Sequence, residues 1–231
     1  PDNINGYPVT VIGAYAFENN TNLTAVTIPD SVITIGYNAF RSCSKLNSVN
    51  VGDNVTVIDR YAFFGCSVLT AIAIPDGVIT IGNNAFNKCD FLKGSNGVVS
   101  LPLCDSIGAG AFLGCSNIEK IELSENLRFL GMQAFMNCAS LTSVNLSSSL
   151  QALFEETFSG CTALKEVSYS DNLLKVHCNA FNNTPWDENL PVEGGVKYMG
   201  NIAMYVVDTQ NAAGIREGTI SIADGFNSSY L

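Results

Sequence analysis

Apolar residues recur along the chain with a spacing too long for a single helix or strand. Each unit has an aliphatic residue, a phenylalanine five residues later and then alternating apolar and polar residues, as in Ile35, Phe40 and "LNSVNV" at 46–51. A period kept over eight units predicts a solenoid whose units bury their apolar residues against one another. The repeating phenylalanines are 23 residues apart, with one gap of 26: Phe17, Phe40, Phe63, Phe86, Phe112, Phe135, Phe158 and Phe181.

The alternating segment of each unit predicts a short β-strand, because β-branched and other apolar residues occupy every second position. The few residues around each phenylalanine leave space for only a single helical or 3₁₀ turn. One strand per unit, always in the same direction, predicts a parallel sheet with right-handed crossovers. The predicted fold class is an α/β repeat, a right-handed solenoid of 23-residue rungs with a parallel sheet on the concave face and short helical or 3₁₀ turns on the convex side.

Six of the eight cysteines follow a repeating phenylalanine by three residues: Cys43, Cys66, Cys89, Cys115, Cys138 and Cys161. Equivalent residues on neighbouring rungs have parallel Cβ directions, which a disulfide tolerates poorly. A zinc site is also disfavoured, because a linear row does not match tetrahedral geometry. We therefore expect a ladder of reduced thiols in the core, with disulfides and zinc as the alternatives. Cys178 lies outside the ladder, and we expect it to be the exposed, reactive thiol.

The pattern I-G-x-x-A-F-x-x-C-x-x-L-x-x-V-x-I-P, carried by "IGYNAFRSCSKLNSVNV" at 35–51, resembles the BspA-type leucine-rich repeats of bacterial and some protist surface proteins. The resemblance covers residues 9–181. It implies a leucine-rich-repeat solenoid, an extracellular or cell-surface location and a role in binding or adhesion. The shared motif residues are structural, so the resemblance implies no functional residue in this chain.

The sequence divides one continuous solenoid into three segments. The eight-rung array is predicted over residues 1–181, and its 26-residue gap places an inserted loop at 94–97. Residues 182–216 resemble an interruption found inside such arrays and contain a predicted hairpin with a turn at Gly200-Asn201. Residues 217–231 resemble a partial resumed repeat, with Phe226 in the position of the repeating phenylalanine.

Composition narrows the choice of partners. The net charge of −10 and the absence of clustered Lys and Arg argue against nucleic acid. No apolar stretch is long enough for a transmembrane helix, so no membrane insertion is expected in this segment. The chain starts at Pro1-Asp2 without an initiating Met, and we expect it to be part of a longer protein.

Residues with catalytic potential are sparse. The single histidine, His177, precedes Cys178, but adjacency in sequence does not create a nucleophile–base pair. No phosphate-binding loop, H-E-x-x-H pair or calcium loop occurs. We therefore predict a non-catalytic protein without a metal or another cofactor.

A binding surface is instead expected on the outward positions of the predicted strands. These positions are small or polar and lack the aromatic residues common at binding hot spots. A protein or glycan ligand is one interpretation; the alternative is a structural spacer whose outer surface only provides solubility. The inserted loop at 94–97 and the hairpin around Tyr198, Met199 and Tyr205 are rival binding locations. The two outward columns contain Thr27, Asn50, Ala73, Glu122, Asn145 and Ser168, and Ser48, Lys120, Ser143 and Glu166.

Overall fold

The computed structural model describes residues 2–207, 215–217 and 219–225, and its architecture is a parallel β-solenoid. A short antiparallel pair, β1 (Asn3–Ile4) and β2 (Tyr7–Pro8), precedes the first rung. Each of the first seven rungs then has a two-residue back strand, a turn with the repeating phenylalanine, and a front strand, whereas the eighth has only the back strand and the turn. The front strands are β4 (Ala25–Thr27), β6 (Ser48–Asn50), β8 (Ala71–Ala73), β10 (Val98–Leu101), β12 (Lys120–Leu123), β14 (Ser143–Asn145) and β16 (Glu166–Ser168).

The first seven rungs contain two strands each, whereas the sequence predicted one. Two-residue strands are too short to show alternation, so their pattern carries no period-2 signal. Valine, isoleucine and leucine at their second positions point into the core, as at Ile35 and Ile58. The back strands are β3 (Val11–Ile12), β5 (Thr34–Ile35), β7 (Val57–Ile58), β9 (Thr80–Ile81), β11 (Ser106–Ile107), β13 (Phe129–Leu130), β15 (Ala152–Leu153) and β17 (Lys175–Val176).

Neither face carries one continuous sheet. On the front, β4, β6 and β8 form one parallel sheet and β10, β12, β14 and β16 form another. On the back, a six-stranded parallel sheet runs from β3 to β13, and β15 pairs with β17. We call the gap between β8 and β10 the front break. The back sheet is intact behind it, because β9 pairs with both β7 and β11.

The turn around each phenylalanine is a series of tight turns rather than the predicted helical or 3₁₀ segment. In the second rung, Asn38 and Ser42 have φ angles of 55° and 59°, which lie in the left-handed region and interrupt a helix. The N–H of Arg41 bonds back to Asn38, whereas the N–H of Phe40 donates to Ala62 O of the next rung at 2.7 Å. Backbone donors are thus divided between local turns and the neighbouring rung, which prevents a continuous helical ladder.

The core contains a stack of phenylalanine rings along the rod. Rings from Phe17 to Phe181 lie 5.0–5.5 Å apart between centroids, with interplanar angles of 3–13°. Phe17 begins the stack and is 37% exposed. At the other end, Trp186 packs against Phe181 with a centroid distance of 4.6 Å. The stack continues past the 26-residue gap, since the Phe86 and Phe112 rings are 5.2 Å apart.

Beyond Phe181 the array changes structure. A short helix, α1 (Pro185–Glu188), begins after Thr184, whose hydroxyl accepts the Asp187 N–H at 3.0 Å. The remaining strands are β18 (Val192–Glu193), β19 (Val196–Met199), β20 (Ile202–Val206) and β21 (Ser221–Ile222).

Strands β19 and β20 form an antiparallel hairpin around Gly200-Asn201, and β21 pairs with β20 in parallel. Of the predicted resumed repeat, Phe226 lies outside the described residues. None of the helices described is both long enough and apolar enough to cross a lipid bilayer.

Candidate interaction face

The outward residues of the front strands form two aligned columns, which we call the front face. Its ten predicted members occupy these columns, and all are exposed except Ser48 and Ser143, which are half-buried. Strand pairing aligns Thr27, Asn50 and Ala73 in the first sheet. The second sheet aligns Lys120, Ser143 and Glu166, and also Asn145 with Ser168. The structure thus brings the predicted residues together in two groups, separated by the front break.

The sequence reasoning missed two members of these columns. Val98 pairs with Lys120 and Ser100 pairs with Glu122, so both belong to the front face. The insertion before β10 shifts them relative to Phe86, which hides them from an alignment based on the phenylalanines. The alternation of outward and inward residues within β10 was the available signal, because "VVSL" keeps the alternation of the other front strands.

The second front sheet carries several polar contacts. The ammonium of Lys120 lies 2.7 Å from Glu122 Oε1, and this hydrogen bond lowers the pKa of the Glu122 carboxyl. Ser168 Oγ donates to Asn145 Oδ1 at 2.8 Å. A depression of about 590 Å³ extends over these strands to Trp186. These side chains present donors and acceptors to a partner but no large apolar anchor.

The front break holds a cavity of about 530 Å³ between β8 and β10. Its apolar lining includes Ile72 from β8 and Val99 from β10, together with Leu92. Asp53 and Asp76 contribute exposed carboxylates at its rim. The cavity lies within the size range of small ligand sites.

The inserted loop at 94–97 has a defined conformation beside this cavity. Asn96 and Gly97 have φ angles of 53° and 84°, and Ser95 bridges Val98 in antiparallel fashion. Two consecutive positive φ values match a two-residue hairpin turn of the type that Asn-Gly favours. The Val98 N–H donates to Ser95 O at 3.0 Å, so the loop covers the start of β10.

The carboxylates beside the cavity belong to an acidic row that follows the front strands. Asp30, Asp53 and Asp76 are exposed and occupy equivalent places in successive rungs. Asp30 Oδ1 accepts the N–H of Asp53 at 3.0 Å, whereas the described structure has no salt bridge to any of the three. The row therefore places three carboxylates along one edge of the front strands.

The cysteines do not contribute to this face. Each thiol of the row donates a hydrogen bond to the carbonyl of a repeating phenylalanine in the preceding rung, at 3.1–3.3 Å. Burial raises the pKa of Cys66 and Cys161 to about 12 and that of Cys89 well above its ordinary value. Thiols held in the neutral form are poor nucleophiles. Within the ranges that the structure describes, no group of three or more His, Cys, Asp or Glu residues could hold a metal ion.

His177 and Cys178 do not form an activated pair. His177 Nδ1 lies 2.5 Å from Asn179 Oδ1, and burial raises the pKa of the Cys178 thiol. A nucleophilic cysteine requires a lowered pKa. Cys178 is half-buried rather than exposed, because the segment of β21 and Gly225 packs beside it.

The rival location on the hairpin is not an exposed apolar surface. Tyr198 and Met199 are fully buried, and the Tyr205 hydroxyl donates to Asp187 Oδ2 at 2.6 Å. Exposed aromatic rings occur instead on the back, where Phe129 and Phe154 are 45% and 41% exposed with centroids 5.7 Å apart. The sequence reasoning missed this pair because it did not predict the back strands.

The fold and its site define a class of repeat protein, a solenoid with a solvated parallel-sheet face. The family model described as BspA type Leucine rich repeat region (6 copies) matches residues 10–96 and 95–207. The chain belongs to the BspA-type leucine-rich repeat family, which confirms the predicted resemblance and solenoid class. No curated protein matches the sequence.

Several solved bacterial structures are similar. A leucine-rich repeat protein of T. pallidum, TpLRR, is 29% identical, with a TM-score of 0.54, over 76% of this chain and 69% of that one. A leucine-rich repeat protein of Eubacterium ventriosum is also 29% identical, with a TM-score of 0.55, over 70% of this chain and 43% of that one. A protein of Faecalibacterium prausnitzii described as a leucine rich cell surface protein is 20% identical, with a TM-score of 0.42, over 100% of this chain and 88% of that one.

Proposed function

We propose that this protein is a non-catalytic binding or adhesion module that contacts a host or matrix protein, or a glycan, through the front face. One observation carries the proposal: the outward side chains of the front strands form aligned columns that are mostly polar and mostly exposed. Such columns offer many donors and acceptors in fixed positions, with little side-chain entropy to lose on binding.

The proposed place of action is the cell surface or the extracellular space, within a longer protein. The resemblance to BspA-type surface proteins supports this location. The buried, neutral thiols and the hydrogen-bonded His177 support a role without covalent chemistry.

A structural spacer is the second candidate function. It is favoured by the composition of the front face, whose ten predicted members include no aromatic residue. Aromatic side chains dominate the binding energy of many interfaces. A spacer would need only the stable rod, with a polar surface that keeps it soluble.

A binding survey with matched surface variants tests the proposal. The protein is applied to immobilised extracellular-matrix proteins and to a glycan array, and any captured partner is measured with two double variants. Asn50→Arg with Asn145→Arg adds bulk and charge to the front face, whereas Thr10→Arg with Gln151→Arg adds the same groups at exposed positions beside the back strands.

The front pair is expected to weaken binding by about tenfold or more, and the back pair to leave it nearly unchanged. Equal effects of the two pairs would overturn the assignment to the front face. Failure of the wild-type protein to bind any matrix protein or glycan would overturn binding in favour of the spacer.

A further inference from the structure

The front break leaves the edge of β8 open, and it leaves the edge of β10 open beyond Val98, whose N–H donates to Ser95 O of the inserted loop. Strand β8 ends the first front sheet and β10 begins the second, so each has a sheet neighbour on one side within the described chain. Alternate peptide groups of a strand point to each edge, and those of an end strand have no ladder partner there. Such an edge is a template for another strand.

The rest of the rod holds the opening in place. Behind the break, β9 pairs with β7 and β11, and the Phe63 and Phe86 rings are stacked at 5.4 Å. The two rungs are therefore anchored along the back and through the core and are separated only at the front. A cavity supported in this way is already formed before a ligand arrives, which lowers the entropic cost of binding.

The cavity lining has a chemical polarity. Ile72 and Val99 line it but are each only 3% exposed, whereas Asp53 and Asp76 carry exposed carboxylates that have no salt bridge in the described structure. A ligand that fits must be narrow and carry a positive charge. Strand β8 and the part of β10 beyond Val98 have backbone groups without a ladder partner on this side, so the ligand must supply donors and acceptors at strand spacing.

We propose that the front break binds an extended segment of a partner polypeptide, which pairs with β8 and β10 and places a Lys or Arg side chain beside Asp53 and Asp76. This inference rests on the proposed binding function and gives it a location and a partner class. Main-chain hydrogen bonds between the added segment and the open edge would supply the affinity. The two carboxylates would select a basic side chain on that segment.

A glycan fits the same site less well. The residues lining the cavity include no aromatic ring on which a sugar could stack. The open strand edges match a peptide backbone, whose N–H and C=O groups alternate at the same spacing as those of the walls.

Nuclear magnetic resonance titration of the 15N-labelled chain tests the proposal with defined probes. The main probe is a capped hexapeptide of alternating valine and lysine. A valine–glutamate hexapeptide tests the charge, a valine–lysine peptide N-methylated at alternate amides tests the backbone pairing, and a neutral glucan hexasaccharide tests the glycan outcome.

The valine–lysine peptide is expected to shift the amide signals of β8 and β10, with at least about tenfold weaker binding of the glutamate and N-methylated peptides. Combining Asp53→Asn with Asp76→Asn should weaken binding about three- to tenfold. Ala73→Trp, which fills the cavity edge, should abolish binding. Ser168→Trp, in the same front column but away from the cavity, should retain it.

Strand addition would be overturned if the valine–lysine peptide shifted amide signals near exposed acidic residues throughout the chain, or shifted none. It would also be overturned if the N-methylated peptide bound as tightly as the valine–lysine peptide. Shifts of the same amides by the hexasaccharide alone would overturn it in favour of a glycan. If a partner found in the binding survey is lost with the front-face arginine pair but kept with Ala73→Trp, the front face binds elsewhere. The proposed function then stands and this inference fails.

Discussion

The thiol of Cys66 donates a hydrogen bond to the backbone carbonyl of Phe40 in the preceding rung, with 3.1 Å between Sγ and O. The same contact recurs along the cysteine row, so each thiol joins one turn to the turn before it. Cysteine suits the position because it is small, apolar and a weak donor. The contact places the thiol in the core, and this burial determines how the rungs respond to high pH.

Stability is expected to fall steeply as the pH rises from about 9 to about 12. The pKa of Cys66 is raised from 9.0 to about 12 by burial. Above pH 9 the thiol ionises in the unfolded chain but stays protonated in the folded one, so ionisation lowers the free energy of the unfolded state relative to the folded state. Each such thiol contributes a loss of up to about 1.4 kcal/mol per pH unit in this window.

Urea unfolding of Cys66→Ala between pH 8 and 10.5 measures this contribution. The variant should be less stable at pH 8, yet lose stability with pH by up to about 1.4 kcal/mol per unit less than the wild type. Val49→Ala, a buried substitution that removes no titratable group, should keep the wild-type slope. Identical slopes for all three proteins would contradict the prediction.

Removal of a ring from the middle of the phenylalanine stack should cost more than removal at its start. Phe86 is fully buried between Phe63 and Phe112, at 5.4 and 5.2 Å, whereas Phe17 is partly exposed and stacks on Phe40 alone. Phe86→Ala should destabilise the protein by about 3–5 kcal/mol.

Phe17→Ala serves as the matched control and should cost about 1–2 kcal/mol, because part of its ring is already in water. Unfolding followed by far-ultraviolet circular dichroism gives both values. Comparable losses for the two variants would show that the stack does not act as a continuous core.

The family and the solenoid were predictable because the side-chain pattern itself repeats. Positions equivalent to Phe40 and Ile35 meet their own copies in the next rung, so the repeat in sequence becomes a column in space. The back strands were not predictable in the same way, since two residues cannot display a period. The turn was predicted as a single helical or 3₁₀ turn, because no one residue type marks its left-handed positions, which are occupied by residues as different as Asn38 and Ser42.

The two parts of the candidate site differed in predictability. Outward positions such as Asn50 follow from alternation within a strand. The cavity depends instead on the failure of β8 to pair with β10, which is a property of the backbone that hydrophobic pattern does not encode. The dipeptide Asn96-Gly97 was the available signal, because it favours a tight hairpin turn that displaces the chain before β10.

Alanine at Gly82 should destabilise the rod, whereas alanine at the equivalent Gly13 should not. A Cβ atom on Gly82 would lie 2.4 Å from the backbone N of Arg60 in the preceding rung. Gly13 belongs to the first rung and has no atom within 4 Å of that position. We expect a loss of about 1–3 kcal/mol for Gly82→Ala from overpacking.

Gly13→Ala should be neutral or stabilise the protein by up to about 1 kcal/mol, because it reduces the freedom of the unfolded chain. Thermal unfolding of the two variants side by side separates steric crowding from the intrinsic effect of removing a glycine. Equal destabilisation by both would mean that close approach between rungs is not the reason for glycine in this column.

Removing one partner of the buried ion pair between Lys197 and Asp187 should lower the free energy of unfolding by a large amount. Lys197 Nζ donates to the backbone carbonyl of Asp187 at 2.8 Å and lies 3.7 Å from its Oδ2, and both residues are buried. Tyr205 donates to the same carboxylate oxygen, and burial together with this bond raises the pKa of its hydroxyl. Lys197→Met leaves a buried carboxylate without its cation and should cost about 3–5 kcal/mol.

A control variant, the single variant Asp187→Asn and a double variant separate the charge from the packing in this prediction. Lys175→Met removes an exposed lysine and should change stability by less than about 0.5 kcal/mol. Asp187→Asn combined with Lys197→Met should recover at least about 1 kcal/mol relative to the sum of the single changes, since no unpaired charge remains. Additive losses in this double-mutant cycle would mean that the two side chains stabilise the end of the rod independently. The buried pair would then be a consequence of packing between α1 and the hairpin and not one of its causes.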